Sequence, residues 1–348
     1  EVANEHRDFV VLGRIGVAHD FRAAIPIQPQ TDDRLGKSVA VSVGVVVVGA
    51  PNASNDGVAA GVVLGALTVI GKDVSPIWKT YRGWLVLIPV VFGTIFLGRT
   101  AAIIGVTLLA IFGFKEFARA TGLYDDWWFA GTVYVAITAL GVTSVVTDPR
   151  LQSAGWYGMF MALPVYVIAT ILLIPIIRNR AKGQLQRVAL GIVGFVYFGW
   201  MFSHLGFLAN SPHAYGYLLY LIFAVEINDV AAVICGKLFG RHKLRENISP
   251  NKTIEGSLGA VAVSMTIPWL LWFSFPHFEA LHLILTGLIV GVGGQVGDLV
   301  ISYIKRDIGI KDMGVVISGH GGILDRVDSM IFVAPIFFHM VRWFHGLS

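Results

Sequence analysis

The sequence predicts an all-α polytopic membrane protein of about nine transmembrane helices, and three observations carry that reading. The first is composition: of 348 residues, 55% are hydrophobic and only 14% charged, with a mean hydropathy of +0.71. That is more apolar surface than a water-soluble domain can bury. The second is spacing. From Trp84 onward, apolar runs of about 15 to 24 residues recur, the length a helix needs to cross a hydrocarbon core. The third is the placement of Lys and Arg, which collect in alternate connections between the runs.

Taken in order, residues 1–33 are mixed and polar, do not begin with Met, and lack a basic start followed by an apolar stretch, so no signal peptide is expected there. Residues 38–66 alternate and then turn between Pro51 and Gly57, the pattern of a β-hairpin. The expected division is a short N-terminal segment, 1–75, and a transmembrane domain, 76–348. The nine runs are 84–98, 100–118, 128–146, 156–177, 188–208, 214–236, 257–275, 280–304 and 329–344. The first two are short and divided only by Arg99, which reads as a tight hairpin or a broken helix. Cys235 is the single cysteine, so there is no internal disulfide, and it reads as a small buried hydrophobe.

One set of connections holds Lys79 and Arg82, Lys115 and Arg119, the 178–187 cluster, the 237–252 cluster, and Lys305, Arg306, Lys311 and Arg326. The other holds only Arg99 and Arg150. Positive residues in short loops are retained on the cytoplasmic side, so the richer face is expected there. The net charge of +4 and pI near 9.1 are accounted for by these topology signals. Basic residues do not interleave with aromatic ones, so no nucleic-acid partner is expected.

The candidate chemistry lies in two stretches of that face. Ser302 to Asp328, with Asp298 just ahead, packs charged side chains, His320 and the Gly321–Gly322 pair between two apolar runs. Asp298 sits in GGQVGD inside a span, where a carboxylate is costly and needs a partner or a function. The nearby glycines permit close helix approach, which does not account for the acid. Ser302, Lys305 and Arg306 follow at helical spacings, and Asp325 and Asp328 share one face of the next helix start. Converging carboxylates and cations suit a divalent metal holding a polyphosphate. An ordinary solvated loop explains any one of these residues but not all of them. The second stretch, 226–256, brings Glu226 and Asp229 at the end of an apolar helix, then a turn of Ser249, Pro250, Asn251, Lys252 and Thr253. That turn is either a plain connection or a phosphate cradle.

The pattern S-x-x-K-R, K-D-x-G and H-G-G-x-x-D-R-x-D, carried by Ser302, Lys305, Arg306, Lys311, Asp312, Gly314, His320, Gly321, Gly322, Asp325, Arg326 and Asp328, resembles the signature of the bacterial CTP:phosphatidate cytidylyltransferases, the CDP-diacylglycerol synthases. NDVAAVICGKLFG and ISPNKTIEG resemble that family's second block, and the resemblance spans about residues 75–348. It implies transfer of a cytidylyl group from CTP to phosphatidate, with Mg²⁺ as cofactor; a monovalent cation beside it and a homodimer are both left open. It implies Asp298 and Asp325 as metal carboxylates. Lys305, Arg306, Lys311, Asp312, His320, Arg326 and Asp328 form the implied catalytic group, and Asn228, Asp229, Ser249, Lys252, Thr253, Glu255, Ser302, Gly321 and Gly322 the substrate-binding one. The implied location is the inner membrane, multi-pass, with the site facing the cytoplasm. Ser318, Ala232 and Ser257 depart from the family pattern without removing a charged group. The residues alone also leave open a transporter of an ion or anionic solute, an enzyme using an ether-linked lipid acceptor, and a paralogue that binds without turnover.

Overall fold

The structure, a computed structural model, describes residues 89–149, 152–310, 313–314 and 322–345. The expected N-terminal hairpin, Arg150, Ser318, and the candidate site residues Lys311, Asp312, His320 and Gly321 lie outside that part.

A helical piece over 89–96 ends at Gly98, whose φ of 103° suits glycine alone, and α1 (Arg99–Ala120) begins immediately after it. The break predicted at Arg99 is therefore built by its glycine neighbour. There follow α2 (Trp127–Val145), α3 (Tyr157–Ile177) and α4 (Gln184–Leu208). The middle of α4 widens by one residue per turn over Gly194–Met201. After α5 (Ala214–Phe239), strands β1 (Lys243–Arg245) and β2 (Ser249–Thr253) pair antiparallel, Lys243 opposite Thr253 and Arg245 opposite Ser249. Then come α6 (Ile254–Leu270), α7 (Ala280–Asp307) and α8 (Leu324–His345).

Among the described residues, seven helices are long and apolar enough to cross a membrane: all but α6. The chain is a multi-pass membrane protein. The expected count of nine is not reached within these residues. The run at 257–275 yields only the 17-residue α6, carrying Pro268 near its end, and the run at 84–98 begins outside them. The β1–β2 hairpin also corrects the all-α expectation, since Ser249–Thr253 were expected as a turn, either a plain connection or a phosphate cradle, and form a strand.

The helices alternate in direction, so the α1–α2, α3–α4, α5–α6 and α7–α8 connections share one end of the bundle. At that end Asp126, just before α2, accepts from Arg178 at 2.7 and 2.8 Å and from Arg187, joining the ends of α2, α3 and α4. At the opposite end Arg99 donates to Asn210 and to the carbonyls of Ser144 and Val145. Between them lies an aromatic core in which Phe114, Phe117, Phe160, Phe195, Phe337 and Phe338 are fully buried. The C-terminal half of α4 packs on both α1 and α8, tying the first helices to the last.

α7 is the axis of the second half, packed against α5, α6 and α8. Its 28 residues span about 42 Å, against a hydrocarbon thickness of about 30 Å. Its polar last turns therefore reach beyond the apolar layer.

Candidate active site

Four elements deliver polar groups to the end of the bundle where α5 and α7 finish and α6 and α8 begin. α7 contributes Asp298, Ser302, Lys305 and Arg306, which recur at helical spacing and so share a side. The approach of α8 is set by Gly297: a Cβ there would lie 2.6 Å from the Asp328 carbonyl oxygen and 2.9 Å from the Ser329 Cα. Only a residue without a side chain lets Asp298 and Asp328 come to adjacent positions on the two helices.

Asp298 accepts from Ser302 Oγ at 3.2 Å and is ion-paired with Lys252, the cation at the end of β2. It is the more open acid of the site, with its side chain 28% exposed. Asp229 of α5 accepts from Ser329 Oγ at 3.1 Å. Asp328 accepts from the Ser329 amide at 2.8 Å and lies within electrostatic reach of Asp229, Asp298 and Lys305. Asp325, in the first turn of α8, takes Lys305 Nζ on Oδ1 at 2.9 Å. Its Oδ2 takes the amides of Met313 at 3.2 Å and Gly322 at 3.0 Å. Arg306 donates to the Ile248 carbonyl at 3.4 Å, holding the hairpin against α7.

Of the residues singled out in the sequence, the structure brings together Asp229, Lys252, Asp298, Ser302, Lys305, Asp325 and Asp328. Others serve the frame in this state. Asn228 is fully buried and accepts from Ser264 Oγ at 3.0 Å, joining α5 to α6. Thr253 caps α6, its hydroxyl accepting from the Gly256 amide at 3.1 Å. Glu255 accepts from the Arg241 amide at 3.0 Å and the His242 amide at 3.2 Å and meets His242 Nδ1 at 2.6 Å, bracing the entry to the hairpin. Ser249 is paired on β2 opposite Arg245.

Two residues at the site escaped the sequence reading. Glu116, near the end of α1, accepts the Ile323 and Leu324 amides at 2.9 Å each. Its only signal was an acid between Lys115 and Arg119 in a stretch that read as a topology marker. Tyr197, on the widened part of α4, donates to the Gly297 carbonyl at 3.4 Å, one residue from Asp298.

Chemically, the arrangement alternates acids with primary amines at the edge of an apolar layer. Hard carboxylate oxygens suit a hard divalent cation, and the lysines suit phosphate oxygens.

The chain is similar to known proteins over these same helices. The family model described as the cytidylyltransferase family matches residues 78–344. An uncharacterized protein, YnbB, of Escherichia coli (strain K12) is 39% identical over 161 residues, 43% of this chain and 54% of that protein, so the chain spans about half of its length. The phosphatidate cytidylyltransferase of Staphylococcus haemolyticus is 37% identical over 187 residues, 53% of this chain and 71% of that protein. That of Staphylococcus saprophyticus is 35% identical over 202 residues, 58% and 76%. With its helices, its acid and lysine cluster and these matches in agreement, the chain belongs to the cytidylyltransferase family.

Proposed function

We propose that the chain transfers the cytidylyl group of CTP to phosphatidate, giving CDP-diacylglycerol and pyrophosphate, within residues 76–348. The observation that carries this reading is the cluster of Asp229, Lys252, Asp298, Lys305, Asp325 and Asp328 at the ends of membrane-spanning helices. A lipid phosphate lies at that depth while its acyl chains stay in the bilayer.

An oxygen of the phosphatidate phosphate attacks the α-phosphorus of CTP, and the bond to the β-phosphate oxygen breaks, the electron pair leaving with pyrophosphate. A phosphate monoester has a second pKa of about 6, so the nucleophile is already largely ionised at neutral pH and needs no strong base. The protein's task is to position two anions and offset their repulsion. Lys252 and Lys305 are ion-paired with acids of the cluster, and we assign them, with Arg306 and Arg326, to phosphate oxygens. By the family resemblance Lys311 joins these cations, Asp312 counts with the catalytic residues, and His320 with Gly321 and Gly322 shapes the loop against the substrate. Ser249, Thr253 and Ser302 supply hydroxyls at its edge, while Asn228 and Glu255 act through the helices and hairpin they hold.

The residues fit Mg²⁺. This ion keeps several waters and takes one or two carboxylates together with substrate phosphate, so a ready cage of three His, Cys, Asp or Glu, which the described residues do not form, is not required. Asp298 and Asp325 are the carboxylates proposed to hold it, with Asp229 and Asp328 as the acids beside Asp298. When bound, it neutralises charge on the transferring phosphoryl group. The positive-residue pattern supports a cytoplasmic side for this end, and the reading takes the membrane to be the inner one.

The test is purified protein with labelled CTP, phosphatidate and Mg²⁺. Labelled CDP-lipid is expected from the wild type and is lost in Asp298→Asn. No product, or an Asp298→Asn variant as active as the wild type, sinks the reading.

A further inference from the structure

We propose that Glu116 is a positioning residue of this site: it pins the end of the α7–α8 loop where α8 begins and thereby sets the direction of Asp325. The inference rests on the proposed reaction for its catalytic consequence, but its structural core stands on contacts alone.

Glu116 belongs to α1, a helix with no other candidate chemistry, yet it is 4% exposed and faces the start of α8. The first amides of a helix have no partner within it and are ordinarily met by a nearby capping side chain. Here the acceptor comes from more than two hundred residues away: Oε1 takes the Ile323 amide and Oε2 the Leu324 amide, both at 2.9 Å. A carboxylate at that place also faces the positive end of the helix dipole.

Two glycines of the loop report the same contact. A Cβ on Gly314 would lie 2.7 Å from Glu116 Oε1, and one on Gly322 would come closer still to Oε2. Gly314, inside the loop, and Gly322, near its end, therefore both rest against one carboxylate. From the other side Asp325 Oδ2 takes the amides of Met313 and Gly322, so these two pieces of the loop lie between two acids. Asp325 points where the Met313 and Gly322 amides hold it, and Glu116 fixes the backbone next to Gly322 by taking the following two amides, Ile323 and Leu324.

Two acceptor oxygens are needed as well as the reach. A glutamine has one oxygen and an amide nitrogen that only donates, so it would set a donor against one of the two N–H groups. An aspartate is one methylene short of reaching both.

The experiment uses the full chain, with Glu116→Gln, Glu116→Asp and Gly322→Ala. Amide hydrogen exchange is followed for residues 322–325, with residues 102–110 of α1 as the internal control. In Glu116→Gln, faster exchange is expected at 322–325 and no change in the control. In the CDP-lipid assay kcat is expected to fall about tenfold to a hundredfold, and the half-saturating Mg²⁺ to rise about tenfold. A mere loss of folded protein does not move the Mg²⁺ requirement. Gly322→Ala, which leaves Glu116 in place but pushes the loop end away from it, is expected to reproduce the Mg²⁺ shift and keeps the test open if Glu116→Gln fails to fold. Unchanged exchange at 322–325, or a wild-type Mg²⁺ requirement in variants that exchange faster, overturns the proposal. If the wild type makes no CDP-lipid, the proposed reaction falls instead, and exchange alone decides whether Glu116 is the pin.

Discussion

The spacing of α7 and α8 at Gly297 offers the most direct link between packing and chemistry. In Gly297→Ala the new methyl would stand 2.6 Å from the Asp328 carbonyl oxygen and 2.9 Å from the Ser329 Cα and carbonyl oxygen. These atoms are all backbone, so no rotamer change relieves the clash. To pass from 2.6 Å to the 3.4 Å at which ordinary contact begins, the helices must part by about 0.8 Å. Overpacking of this kind costs about 1–3 kcal/mol. The alanine returns about 1 kcal/mol through helix propensity, leaving a net loss of about 0–2 kcal/mol. Catalysis should suffer far more, because a misplacement of about 1 Å costs about a hundredfold in rate. A modest drop in thermal midpoint with a tenfold to hundredfold fall in kcat, about that scale, is therefore expected in the CDP-lipid assay. Gly191→Ala in α4 is the control. Its nearest neighbour would be Ile171 Cγ2 at 3.5 Å, an ordinary contact, so it should stabilise by about 1 kcal/mol and leave the rate unchanged. Wild-type kcat in Gly297→Ala would refute the claim that this spacing sets the site.

Three further outcomes follow from contacts at the same end of the bundle. Burial alone would raise the Asp126 carboxyl, but hydrogen bonds from Arg178 and Arg187 outweigh it and hold the group below the usual carboxylate range. A depressed folded pKa means that stability is fully present above the unfolded value, about 4, and is lost as pH falls through the folded one. Asp126→Asn should thus cost about 1.5–3 kcal/mol at neutral pH, and its melting gap from wild type should narrow below about pH 4; a gap constant into acid contradicts the ion-pair account. Lys252→Met removes a pair whose side chains are 21% and 28% exposed, so the thermal midpoint should move little while KM for CTP rises about tenfold. An unchanged KM removes Lys252 from the phosphate group. Glu255→Ala should speed exchange at the Arg241 and His242 amides and raise KM for CTP through a looser hairpin, and unaltered exchange there would show that the brace is not needed.

What could be read in the sequence divides along a physical line. Spans were legible because a helix that crosses lipid must be apolar for about twenty residues, and α1, α2, α3, α4, α5, α7 and α8 answer to predicted runs. The failures lie where tertiary contact overrides local pattern. β1 and β2 are three and five residues long, too short to show a period of two, so RHKLRENISPNKT read as a turn. The widened turn at Gly194–Met201 leaves no trace in hydrophobicity, because its residues are as apolar as the rest of α4. Asp229 and Asp298 were legible because charge at membrane depth is expensive and demands a reason, and Asp328 because it shares one face of a helix start with Asp325. Glu116 was not, since it stands near a helix end among basic residues and its reason, two amides of α8, is remote in sequence. Lys305 shows the limit of residue type as a guide: a cation expected for phosphate is paired in this state with Asp325.

That pairing bears on how such a site can exist in the absence of substrate. Four carboxylates gathered near an apolar layer would repel one another strongly, because charge is poorly screened there. Lys252 on Asp298, Lys305 on Asp325, and the hydroxyls of Ser302 and Ser329 hold the resting arrangement together. The same lysines are the groups that an incoming triphosphate would recruit. In the proposed reaction phosphate oxygens would replace the carboxylates as their partners, leaving Asp298 and Asp325 as the residues that would hold a divalent cation. Such an exchange would keep Asp298 and Asp325 paired before and after substrate arrives, whereas the same two acids waiting unpaired would bear their repulsion throughout. The placement at helix ends serves this exchange, since α7 extends past the hydrocarbon. A nucleotide from water and a lipid phosphate at the headgroup level can then meet without either crossing the apolar layer.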